Sequence, residues 1–118
     1  MFENKYDADN VFAQILSGKK ARDKFAENEH AIAIPTIRPE APFHILIIPK
    51  GPYANIHHFI RTASQAEQMG FWKLVADVAE MAKMDGFNVW VNTGESHGQG
   101  VMHFHAHVLA DKKMLQCQ

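Results

Sequence analysis

From Val101 to Leu109 the chain alternates. His103, His105 and His107 take every second place, and Met102, Phe104, Ala106 and Val108 fill the places between. Successive side chains of a β-strand point to opposite faces. Val101 to Ala110 is therefore expected to be a strand. One face, carrying Met102, Phe104, Ala106 and Val108, can bury against a helix, and the other sets three imidazoles in a row. A chain built around this segment needs a sheet with one face kept for polar chemistry.

The remaining segments fit such a sheet. Asn10 to Leu16 is expected to be a helix, with Asp9 as its N-cap and Gly18 as its stop. Lys24 to Ile34 holds two short apolar stretches broken by Glu27-Asn28-Glu29, the pattern of a hairpin. Pro35, Pro39 and Pro42 then impose an extended loop. His44-Ile45-Leu46-Ile47-Ile48 is almost wholly apolar and β-branched, the composition of a central strand buried on both faces. A long helix is expected over Ala63–Met84, opened by a Ser64-Gln65-Ala66-Glu67 capping box and ended by Asp85-Gly86. Its apolar face of Phe71, Leu74, Val75, Val78, Ala79 and Ala82 is widened by Trp72, Ala76 and Met81 to an arc of roughly 200°, about twice that of an ordinary surface helix. Such an arc fits a helix deep in its own core or, preferred in a chain this short, a helix with one side packed on the sheet and the other on a partner subunit. Phe87 to Asn92 alternates as a strand that pairs with Val101–Ala110, across a glycine-rich loop from Thr93 to Gly100. The fold class is α+β with a mainly antiparallel sheet.

Composition narrows the functions open to the chain. Its 118 residues suffice for one domain. Twelve basic against thirteen acidic side chains leave a formal net charge of −1, which argues against a broad basic face for a nucleic-acid polymer. The single cysteine, Cys117, excludes an internal disulfide and a cysteine-cluster metal site, and it fits a reducing compartment. No apolar run approaches the roughly 20 residues needed to span a bilayer, and Met1 to Lys5 has no signal-peptide pattern. A soluble cytoplasmic protein is expected, without membrane association.

Three imidazoles in a row can hold protons, donate hydrogen bonds to an anion, or attack an electrophile. A metal site is one alternative. Same-face residues two apart stand roughly 6.5 Å apart, so two neighbours can converge on an ion and all three cannot easily do so. Ligands such as His97, His57 or His58 would be needed, and no metal or other cofactor is expected. An anion site fits better. Gly98 and Gly100 let backbone N–H groups approach an oxyanion, and Asn92 and Gln99 can add amide donors.

His103-Phe104-His105-Ala106-His107-Val108-Leu109 matches in full the signature His-φ-His-φ-His-φ-φ, with φ apolar, and the chain resembles the histidine triad (HIT) family. The segments Pro39-Glu40-Ala41-Pro42-Phe43-His44, Ile48-Pro49-Lys50, Val91-Asn92-Thr93-Gly94, Gly98-Gln99 and Asn10 to Ile15 extend the likeness over about residues 7 to 110. It is nearest to the Hint-like, nucleotide-binding branch. The resemblance implies a single HIT domain over residues 1–118 with a short tail from 111. It implies a five-stranded antiparallel sheet with one long and one short helix, and a homodimer with a ten-stranded sheet. It further implies hydrolysis of nucleoside phosphoramidates or related esters and anhydrides, as a phosphoramidase acting on a purine mononucleotide conjugate. His105 would be the nucleophile that forms a phosphohistidine, His107 would bond phosphate oxygens, and His103 would support the row. Asn92, Gly98, Gln99 and Gly100 would hold the phosphate, with Thr36 and Ile37 at the ribose end.

Three positions depart from that pattern. Pro52 stands where many members carry a further phosphate-site histidine, for which Tyr53 or His57 could substitute. Gly100 replaces a serine, and Thr36 replaces an acid that binds ribose hydroxyls. A nucleotide-binding module with little turnover is the alternative these changes leave open, and a metal-dependent enzyme is a further one.

Overall fold

The computed structural model describes residues 4–112. The C-terminal residues from 113, Cys117 among them, lie outside that span. Five strands form one antiparallel sheet: β1 (Ala26–Glu27), β2 (Ala31–Pro35), β3 (Phe43–Pro49), β4 (Asn88–Trp90) and β5 (Ala106–Ala110), in the order β1-β2-β3-β5-β4. The apolar run that includes Ile45 to Ile48 is the middle strand, buried on both faces. On one face Ala31, Ala33, Ile45, Ile47, Ala106 and Val108 meet Phe59, Phe71, Leu74 and Val78. On the other Ile32, Ile34, Leu46 and Ile48 pack against Phe12 and Ile15. The α+β class and five-stranded antiparallel sheet read from the sequence are those observed.

Three helices serve these faces: α1 (Val11–Leu16), α2 (Ile56–Thr62) and α3 (Gln65–Met81). The N-cap of α1 is Asn10 and not Asp9, because Asn10 Oδ1 accepts the Ala13 N–H at 2.8 Å. Helix α2 was not anticipated. Asn55 caps it by accepting the His58 N–H, and Phe59 anchors it in the core. The capping box of α3 forms as expected between Ser64 and Glu67. The helix stops three residues before Met84, where i→i+3 bonds from Ala82 and Lys83 tighten the last turn and Lys83 takes φ 54°. Among the described residues, no helix is long and apolar enough to cross a membrane.

The expected strand from Val101 begins only at Ala106. Pro49 has no N–H with which to continue the β3 ladder, and the Phe104 N–H turns to the Tyr53 carbonyl at 2.7 Å. Phe104 still enters the α3-side core, but Met102 leaves that face and lines a surface groove. The Phe87–Asn92 strand likewise shortens to Asn88–Trp90.

Candidate active site

The imidazole face lies on the α1 side of the sheet. Phe12 of α1 stands edge-on to both His103 and His105, with ring centroids 6.2 and 5.0 Å away. The β3–β5 register sets Leu46 opposite His107 and His44 opposite Leu109. It brings a fourth imidazole into the row: His44 Nε2 is 2.9 Å from His107 Nδ1. His44 lay within the motif match, but no role was read for it, because a cross-strand neighbour needs the strand order. Its signal was the shared period of two in β3, where His44 falls on the face of Leu46 and Ile48.

The neighbours fix which ring nitrogen carries each proton. The Glu40 N–H donates to His44 Nδ1 at 3.0 Å. Neutral His44 therefore has its proton on Nε2 and donates it to His107 Nδ1. His107 in turn carries its own proton on Nε2, as an outward donor. His103 Nε2–H donates to the Pro49 carbonyl at 2.8 Å, and its Nδ1 accepts the Tyr6 hydroxyl at 2.6 Å. His105 Nδ1–H donates to the His103 carbonyl at 2.9 Å. The lone pair of His105 Nε2 is left free of that bond.

Burial holds these rings neutral. Desolvation lowers His103 from 6.5 to about 4, against the Pro49 hydrogen bond, with His105 adding to the effect. Desolvation, then His105 and His44, lowers His107 to about 4 as well. His105 is lowered by burial against the His103 hydrogen bond, and His44 by burial against the pull of Glu40. The arrangement thus offers one unprotonated ring nitrogen as nucleophile beside a ring N–H as donor.

Among the other candidate residues, Asn92 follows β4. The last β4–β5 pair is Trp90–His107, two residues before Asn92. Its Nδ2 donates to the His97 carbonyl at 2.9 Å. Gly98 closes this turn at φ 88°, where a Cβ would stand 3.3 Å from Asn92 Nδ2. The Gln99 amide is differently employed than expected. Its Nε2 donates to the Ala54 and Val101 carbonyls and its Oε1 accepts the Gly94 N–H, so the side chain ties the loop together. At Gly100 a Cβ would meet nothing within 4 Å. Thr36 reaches the row through its backbone, donating to the His44 carbonyl at 3.3 Å, while its Oγ1 accepts the Arg38 N–H. Ile37 is 78% exposed.

Tyr53 and His57, the stand-ins for a further histidine, are otherwise engaged, as are His58 and His97, the candidates for added metal ligands. Tyr53 donates to Glu67 at 2.7 Å, with its pKa raised to about 12 chiefly by burial. His57 Nδ1 meets Asn4, His58 Nδ1 accepts the Ala54 N–H, and His97 Nδ1 meets Ser96. Among the described residues, no group of three or more His, Cys, Asp or Glu could hold a metal ion. Tyr6 and Phe12 complete the surroundings of the row, and sequence reading assigned neither to the site.

The HIT domain profile matches residues 17–114. An uncharacterized 13.2 kDa HIT-like protein of Azospirillum brasilense is 42% identical over 111 residues, covering 92% of this chain and 91% of that protein. A HIT family hydrolase from Clostridium thermocellum superposes with a TM-score of 0.81 at 33% identity, covering 92% of this chain and 96% of that one. A hypothetical histidine triad nucleotide-binding protein from Sulfolobus tokodaii gives a TM-score of 0.74 at 25% identity, covering 89% and 70%.

Proposed function

The chain belongs to the HIT domain family, and on that footing we propose that it is a nucleotide-binding hydrolase that cleaves nucleoside phosphoramidates or related esters and anhydrides through His105. The observation that carries this reading is the His105 tautomer: Nδ1–H is committed to the His103 carbonyl, so Nε2 keeps its lone pair. His105 Nε2 attacks the α-phosphorus. The phosphorus–nitrogen bond breaks with its electron pair on nitrogen, which takes a proton from water and leaves as the amine. Water then attacks phosphorus, the bond to Nε2 breaks, a proton is released, and the mononucleotide departs. His107 Nε2–H, oriented through His44, donates to a phosphate oxygen, and His103 supports His105 from behind. The second amide proton of Asn92 and the Gly100 N–H hold the remaining oxygens, the Gly98 and Gln99 N–H groups being spent on the Glu95 and Gly94 carbonyls, with Thr36 and Ile37 at the ribose end. The purine preference, the cytoplasmic setting and a homodimer through α3 and the β4 region belong to the same reading.

Adenosine 5′-phosphoramidate tests it, with ammonia release as the readout. His105→Ala is expected to lower turnover by roughly 10²–10⁴-fold or more with the fold retained. His105→Asn is expected to keep mononucleotide binding, and rapid-quench intact mass should place a nucleotidyl adduct on His105. Near-normal turnover by His105→Ala, or an adduct on another residue, would overturn the mechanism.

The engaged Gln99 amide, the bare Gly100 and the Pro52 position favour a second reading, a nucleotide-binding module with slow turnover. Tight mononucleotide binding with phosphoramidates left intact would establish it in place of the first.

A further inference from the structure

Tyr6 lies outside the span 17–114 matched to the HIT domain, yet its hydroxyl makes the 2.6 Å contact to His103. We propose that Tyr6 is a positioning residue for the reaction, holding His103 in the tautomer and place that present its carbonyl to His105 Nδ1–H. This rests on the hydrolase reading above and extends it to the N-terminal segment.

The need for such a residue comes from where β5 begins. Residues 101–105 precede the β5 ladder, so no strand partner fixes the His103 carbonyl. Other bonds must do so. The Phe104 N–H holds the Tyr53 carbonyl at 2.7 Å. The His103 ring is fully buried, and its two nitrogens are bolted to the Pro49 carbonyl and the Tyr6 hydroxyl. The Tyr6 and His103 rings also meet edge-on with centroids 5.4 Å apart. Tyr6 is itself held by the start of α1, where Asn10 donates from its N–H and its side chain to the Asp7 carbonyl at 3.1 and 2.7 Å.

The bond acts on the chemical step. As His105 Nε2 bonds to phosphorus, positive charge develops on its ring. The Nδ1–H to carbonyl bond then becomes charge-assisted and stronger than in the resting enzyme. An interaction that strengthens only then affects kcat more than KM. Tyr6 also bears on protonation. Its O–H can donate only to the neutral ring of His103, so its removal takes away one support of the neutral form and moves the His103 pKa upward. The groups facing His103 are Tyr6 from the N-terminal segment, the uncharged Phe12 of α1, the Pro49 carbonyl of β3, and His105 on its own segment. Asp7 acts at one remove, raising the Tyr6 pKa alongside burial, while Asn10 opposes both.

The test is Tyr6→Phe in the full chain, which keeps the ring and removes the hydroxyl. With adenosine 5′-phosphoramidate, kcat is expected to fall about 3- to 10-fold with KM nearly constant. The acid limb of kcat should move to higher pH. Nitrogen-15 NMR of the histidines, without substrate, should show His103 protonated on Nε2 in the parent chain and titrating at higher pH in Tyr6→Phe. A folded Tyr6→Phe with unchanged kcat, or with reduced kcat but unmoved acid limb and His103 titration, would overturn the proposal. Should Tyr6→Phe not fold, a parent chain with His103 protonated on Nδ1 overturns it, and one with Nε2 protonated and Nδ1 hydrogen-bonded upholds it. If the parent chain leaves the phosphoramidate intact, the hydrolase reading fails, and the His103 titration still decides the Tyr6 contact.

Discussion

Four neighbouring imidazoles stay neutral because each is desolvated and a charge on one opposes a charge on the next. His103 and His107 titrate near 4 in the folded chain against 6.5 for a free ring. Between those values the unfolded chain binds more protons than the folded one, so stability falls as pH falls through that window and is fully present above it. Carboxylates act lower down: Glu67, lowered chiefly by its Ser64 backbone bond, is lowered from 4.5. Thermal midpoints are therefore expected to decline already between about pH 6.5 and 5, before carboxylate protonation dominates. His107→Asn should flatten that part of the curve. A midpoint constant down to about pH 5 would mean that the rings charge in place.

Elements of this fold are legible where their signals are local. The Ser64–Glu67 box lies within four residues and sets the start of α3. Ser64→Ala is expected to cost roughly 1 kcal/mol, seen as a lower denaturant midpoint at unchanged slope. An unchanged midpoint would show that packing against the sheet alone positions α3. The end of α3 and the start of β5 were less legible. Lys83 at positive φ has no marker in its residue type, and β5 is shortened by Pro49 on a neighbouring strand. Helix α2 spans seven residues, too few to show a clear period, and its Asn55 cap is recognised only once Phe59 is seen in the core.

At the scale of the whole molecule, β4 is an edge strand with Val89 exposed, and Trp72 and Met81 stand on the solvent side of α3. Large apolar groups and an open strand edge are what a second copy would cover. Light scattering is expected to give twice the 13.3 kDa chain mass. Trp72→Glu should shift the protein towards monomer or aggregation, because an unpaired charge would be buried in the contact. A parent chain scattering as a monomer at micromolar concentration would remove the dimer from the functional reading.

The sequence by itself determined the sheet-forming pattern, the class, the central strand and the three histidines on one face, since period, turn residues and caps act between near neighbours in the chain. Only the tertiary structure decided which nitrogens are free. His44 reaches His107 across 63 residues and Tyr6 reaches His103 across 97. Gln99, expected among the phosphate donors, spends its amide on Ala54 and Val101. A hydrogen-bonding group takes whatever partner the packed chain brings within about 3 Å, and no local pattern records which one arrives.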